Sequence, residues 1–143
     1  MDGKRLKKIL DVSKRVERAR KGELSNARHD QTLALQKLEQ AKREERDQLR
    51  ALEESGDLDV NALFDRARGV TLAAAQVHQA RAEQAVTDNE VTRREAAAFE
   101  AMRDVRKFEI LCERDRDEQR LVAKNAEQQA LDETRRTPRR GAS

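Results

Sequence analysis

Residues 24–52 read LSNARHDQTLALQKLEQAKREERDQLRAL, and their spacing decides the fold. Leu24, Ala27, Gln31, Ala34, Leu38, Ala41, Glu45, Gln48 and Leu52 follow one another in alternating steps of three and four residues. That alternation keeps one stripe of a helix turned toward a partner helix, which is the coiled-coil period. Several stripe positions are Ala, Gln or Glu, so the seam is thin. Upstream, Leu6, Ile9, Leu10 and Val16 continue the periodic segment back to about residue 4 in a shifted register. Gly22 falls inside that shift, so a stutter or weak point is expected between Val16 and Leu24.

The segment stops near residue 54 at Glu54-Ser-Gly-Asp-Leu-Asp59. Ser-Gly punctuates the chain, and Asp57 or Asp59 can cap a following helix by accepting its free amide hydrogens. A second helix is expected over about 60–136. Its apolar positions are Leu63, Phe64, Ala67, Val70, Ala74, Val77, Ala85, Val91, Ala98, Phe99, Met102, Val105, Phe108, Leu111 and Cys112, followed by Leu121, Val122, Ala126, Ala130 and Leu131. Gly69 weakens its first turns, while Pro138 and Gly141 end it and leave residues 137–143 as a disordered basic tail. The sequence is read as having no repeat beyond the heptad.

Two long amphipathic helices joined by a short break predict an all-α antiparallel coiled-coil hairpin, helix 2 longer than helix 1, forming a single elongated domain over residues 1–143. Acid-to-base pairs four residues apart (Asp11–Arg15, Glu17–Lys21, Glu39–Arg43, Glu90–Arg94 and Asp132–Arg136) have the orientation that supports exposed helix. Pairing outward from the turn sets Leu6 near residue 108. Everything past about residue 110 is then expected to be an unpaired helix whose apolar stripe needs a partner.

Composition agrees with this reading. Of 143 residues, 82 are Ala, Glu, Lys, Leu or Arg, and the only aromatics are Phe64, Phe99 and Phe108. So little apolar volume cannot build a packed core around a pocket, which argues against an enzyme. The net charge is only +3, but it is unevenly placed. Residues 1–22 hold nine Lys or Arg against three Asp or Glu, and residues 135–143 hold Arg135, Arg136, Arg139 and Arg140 without an acid. The hairpin turns both basic ends the same way, toward a negatively charged partner surface.

Cys112 is the sole cysteine, which fits a reducing compartment, and it reads as a small apolar side chain. The basic N-terminal residues have no apolar run behind them, so no secretory signal is expected. The longest apolar runs, Leu72–Ala75 and Ala96–Phe99, are far too short to insert into a membrane, and a cytoplasmic location follows. His29 and His78 lie on different helices without ligands at metal spacing, and no Gly-rich phosphate loop or nucleophile elbow is present. No catalytic residue, metal or cofactor is expected. Nucleic acid is not expected as a partner either, because no aromatic side chains are interleaved with the basic ends for base stacking.

The stretch KFEILCERDRDEQ (Lys107–Gln119), with EQQALDE (Glu127–Glu133) and the Arg-rich tail after it, resembles the C-terminal end of the FliJ/SctO family. Leu131-Asp132-Glu133 is the nearest local match. These are small helical-hairpin stalk proteins of the flagellar and virulence type III export apparatus. The resemblance implies a protein that inserts both termini into a hexameric export ATPase ring, contacts the cytoplasmic domain of the export gate and escorts export chaperones during flagellum assembly. It would act in the cytoplasm, peripheral to the inner face of the cell membrane. Carried onto this chain, the ring-facing residues would be Lys7, Lys8, Arg15, Leu111, Leu121, Val122, Leu131 and Arg135. The gate-facing residues would be Ala34, Leu38 and Ala41 on helix 1, with Phe64, Val70 and Val77 on helix 2. Helix 1 lacks the aromatics that flagellar members often carry there.

Three readings remain open on the sequence. The first is a non-enzymatic coupling protein of a type III export system, flagellar rather than virulence-associated. The second is a generic coiled-coil adaptor or homodimeric scaffold whose thin seam a second copy completes. The third is a basic helical nucleic-acid binder.

Overall fold

The computed structural model describes residues 2–56 and 59–136. Helix α1 spans Gly3–Glu53 and helix α2 spans Val60–Arg136, and the two pack against each other antiparallel. Their ends are set by capping. Asp2 opens α1: its Oδ1 accepts the Lys4 N–H at 3.3 Å and its carbonyl accepts those of Arg5 and Leu6. At the other end the Glu54 N–H returns to the Arg50 carbonyl, and Ser55 reaches the Leu52 carbonyl with both its N–H and its hydroxyl. That bond lets the Ser55 side chain sit buried in the turn. Asp59 starts α2, its Oδ1 accepting the Ala62 N–H at 2.7 Å. Asp57, the other expected cap, lies outside the described residues, as does the tail at 137–143.

The packing divides into two units. Within residues 19–99, Leu24 and Ala27 cluster with Val91 and Ala98, and Leu38 and Ala41 cluster with Val77 and Ala80. Between these apolar layers the Gln31 Nε2 donates to the Asp88 carboxylate at 2.8 Å. All nine α1 seam residues from Leu24 to Leu52 are buried or half-buried. The α2 seam runs through Val70, Ala73, Val77, Ala80, Gln84, Thr87, Val91, Arg94 and Ala98, in the same steps of three and four. The apolar residues expected to line α2 therefore divide. Val70, Val77, Val91 and Ala98 face the seam, whereas Leu63, Phe64, Ala67, Ala74, Ala85 and Phe99 are exposed. Burial here follows the register imposed by α1, and small Ala side chains occupy contact positions that Phe would force apart.

In the second unit, residues 1–18 with 100–143, the buried apolar residues are Leu6, Ala101 and Val105. Gly3 lies so close to α2 that an added Cβ would come within 2.7 Å of the Asp115 carboxylate. Pairing thus extends to Asp115 and sets Leu6 at the level of about residue 112. The boundary expected at about residue 110 moves outward: Leu111, Cys112 and Asp115 are half-buried, and the uninterrupted exposure of α2 begins at residue 116.

The register runs on without the expected stutter, while the expected weak point is there: residues 18–22 are exposed and the packing divides between Arg18 and Ala19. Leu10, Ser13 and Glu17 are half-buried at the same three- and four-residue steps, Leu24 follows one heptad later, and Val16 is 41% exposed. Polar residues hold seam positions there, which made the register look shifted. In this single register α1 places Leu10, Leu24, Leu38 and Leu52 at intervals of fourteen residues, with Glu17, Gln31 and Glu45 midway. Val77, Val91 and Val105 repeat the interval on α2, a double-heptad repeat where none beyond the heptad was expected.

Candidate interaction surfaces

Lys7, Lys8 and Arg15 are exposed on α1. Leu121, Val122 and Leu131 are exposed on α2, as is Arg135 in its last turn, and every residue from 116 to 136 is open to solvent. Leu111 alone among the expected ring-facing residues is half-buried. All eight belong to the unit built from residues 1–18 and 100–143.

The expected gate-facing residues lie in the other unit and do not form one surface. Leu38, Ala41 and Val77 are buried in a common cluster, Ala34 and Val70 are half-buried, and Phe64 is exposed. The first three are committed to holding the helices together. Of the six, Phe64 is the one fully presented to solvent.

Surface features missed in the sequence are Leu33, Leu35, Leu49, Leu72 and Val86, all exposed in the 19–99 unit. Leu33, Ala34, Ala82 and Val86 line a shallow groove bridged by an ion pair between Lys37 and Glu83 at 3.0 Å. The available signal was their position out of phase with the Leu24–Leu52 stripe.

Ion pairs between the helices flank the seam of this unit. Arg94 of α2 bonds Glu90 on its own helix at 2.7 Å and Glu23 of α1 at 3.0 Å, while Arg93 bonds Glu90 from the other side. Hydrogen bonds from Arg94 and then Arg93 hold the Glu90 carboxyl below its usual pKa, and Glu90 first, then Glu23, raises that of Arg94. Arg28–Glu95 and Lys37–Glu83 add two further cross-helix pairs. Of the expected i,i+4 pairs, Glu90–Arg94 forms, Glu39 turns to Lys42 instead of Arg43, and Asp11–Arg15 does not form.

His29 and His78 are exposed, and among the described residues no three His, Cys, Asp or Glu side chains converge as metal ligands. Among the same residues no helix is long and apolar enough to cross a membrane. The surfaces therefore offer exposed helix, charge and shallow apolar grooves, features that suit binding to other macromolecules.

No curated protein and no solved structure matches the chain. The family model described as Flagellar FliJ protein matches residues 1–142. With that match spanning all but the last residue, the chain belongs to the FliJ family, a family of the flagellar protein export apparatus.

Proposed function

We propose that this protein is the non-enzymatic stalk of the flagellar export apparatus, entering the hexameric export ATPase ring with the unit formed by residues 1–18 and 100–143. The observation that carries the reading is the exposed run 116–136, which holds Leu121, Val122 and Leu131 without an opposing α1 segment and shares its unit with the cations of α1. An apolar-bearing helix in water gains by docking, and cations beside it favour an acidic socket. Contact with the export gate falls to Phe64, with Leu38, Ala41 and Val77 keeping its unit paired. Chaperone escort at the inner face of the cell membrane belongs to the same reading.

The test is stimulation of a co-purified flagellar export ATPase by the full chain and by a Leu121→Asp, Val122→Asp double variant. Both side chains are exposed, so folding should survive. Loss of stimulation is expected. Stimulation equal to that of the unaltered chain would remove the docking role of this helix.

A further inference from the structure

We propose that the outer face of α1 between Lys4 and Arg18 binds directly to an anionic lipid surface. Lys4, Lys7, Lys8, Lys14, Arg15 and Arg18 are all exposed. At 100° per residue they fall within about a third of the helix circumference, on the side away from the seam, and over about 21 Å of helix. Asp11 is the one carboxylate in that sector. None of the six forms an ion pair with a described residue.

Many cations of the 19–99 unit are paired. Arg20 meets Glu23, Arg28 meets Glu95, Lys37 meets Glu83, Lys42 meets Glu39, Arg68 meets Asp65, and Arg93 and Arg94 both meet Glu90. What sets this face apart is density, with six exposed cations against the single carboxylate of Asp11 in one sector of residues 4–18. Its complement is a dense array of anions from outside the chain.

The geometry selects a flat array. A straight helical face offers its six charges as a band on one side, and a bilayer presents its phosphates on a plane that long Lys and Arg side chains can reach together. This face also has no aromatic side chain to stack on the bases of a single strand. Val12, 57% exposed beside the row, adds an apolar side chain that can enter the headgroup region. Binding is peripheral, resting on charge. Lys7, Lys8 and Arg15 are shared with the proposed ring contact, so lipid and ring compete for the face; that competition rests on the stalk reading, whereas lipid binding does not.

The experiment is co-sedimentation of the full chain, without ATPase, with vesicles of phosphatidylcholine alone or phosphatidylcholine containing phosphatidylglycerol. Binding should require phosphatidylglycerol and weaken steeply with salt. A Lys8→Glu, Arg15→Glu variant, shown by circular dichroism to keep its helix content, should lose roughly tenfold or more in affinity. An Arg43→Glu, Arg46→Glu control and the Leu121→Asp, Val122→Asp variant should bind as the unaltered chain does, which separates this test from that of the stalk. Failure to bind, equal binding to phosphatidylcholine alone, or indifference to Lys8→Glu, Arg15→Glu would overturn the proposal. Preferential displacement from the vesicles by duplex DNA would overturn it too, in favour of a nucleic-acid site.

Discussion

The Arg66 guanidinium of α2 donates a hydrogen bond to the main-chain carbonyl of Ala51, in the last turn of α1. The last four carbonyls of a helix have no partner within it. Here Glu54 takes the carbonyl of Arg50 and Ser55 that of Leu52, and the Ala51 carbonyl is satisfied from the opposite helix. Replacing Arg66 with Ala leaves that acceptor without its protein donor and should cost about 1–2 kcal/mol. Arg66→Lys should recover part of the loss, and urea denaturation of the three proteins measures both.

Asp59 performs the corresponding task where α2 begins. Asp59→Ala removes the acceptor of the Ala62 N–H and should destabilise by about 1 kcal/mol, whereas Asp59→Asn should stay near the unaltered protein. Equal urea midpoints for the two variants would show that the cap contributes nothing.

The division of α2 between seam and surface makes opposite predictions for residues of similar hydrophobicity. Leu38, 3% exposed and packed with Ala41, Val77 and Ala80, should cost about 2–4 kcal/mol when cut to Ala. Phe64→Ala, at a side chain 62% exposed, and Val16→Ala should each stay within about 0.5 kcal/mol. A large loss at Val16 would restore the register shift that its exposure argues against.

Glu90 should make stability depend on pH in the acid range. Its folded pKa is depressed by Arg94 and Arg93, so as pH falls the unfolded chain takes up the proton first. The contribution is therefore whole above the ordinary glutamate range and is lost as pH drops through the lower folded value. Glu90→Gln should be less stable than the unaltered protein at neutral pH, and the gap should close in strong acid. Denaturation curves at both pH values test the sign, and a gap that widened on acidification would contradict it.

Much of α1 could be read without a structure because Leu24, Ala27, Ala34, Leu38, Ala41 and Leu52 keep steps of three and four in a mostly polar segment. The turn was legible for a similar reason, since Ser55-Gly56 and Asp59 have distinct local chemistry. α2 was harder. Ala occurs on every side of it, so Ala73 and Ala80, which are buried, look no different from Ala74 and Ala85, which are exposed. Its largest apolar residues also mislead, because Phe64 and Phe99 lie outside the register that α1 dictates. The pairing level near Leu6 depended on close approach at Gly3, a spatial fact with no periodic trace. Of the surfaces, the cationic end of α1 was visible as composition, but which cations remain unneutralised depends on where carboxylates lie around the helix.

The fourteen-residue spacing of Leu24 and Leu38 has a consequence for how the pair can misalign. Gln31 lies midway between them and bonds Asp88. Sliding one helix by a single heptad would carry that amide into an apolar layer such as Val77 and Ala80, away from its acceptor, at the cost of stranding a polar group. Sliding by two heptads does no better for this amide, because it then meets Val70 and Ala73 or Ala98 and Ala101. The chain thus behaves as a ratchet with a single tooth: one glutamine midway between two leucines marks the level at which the helices meet.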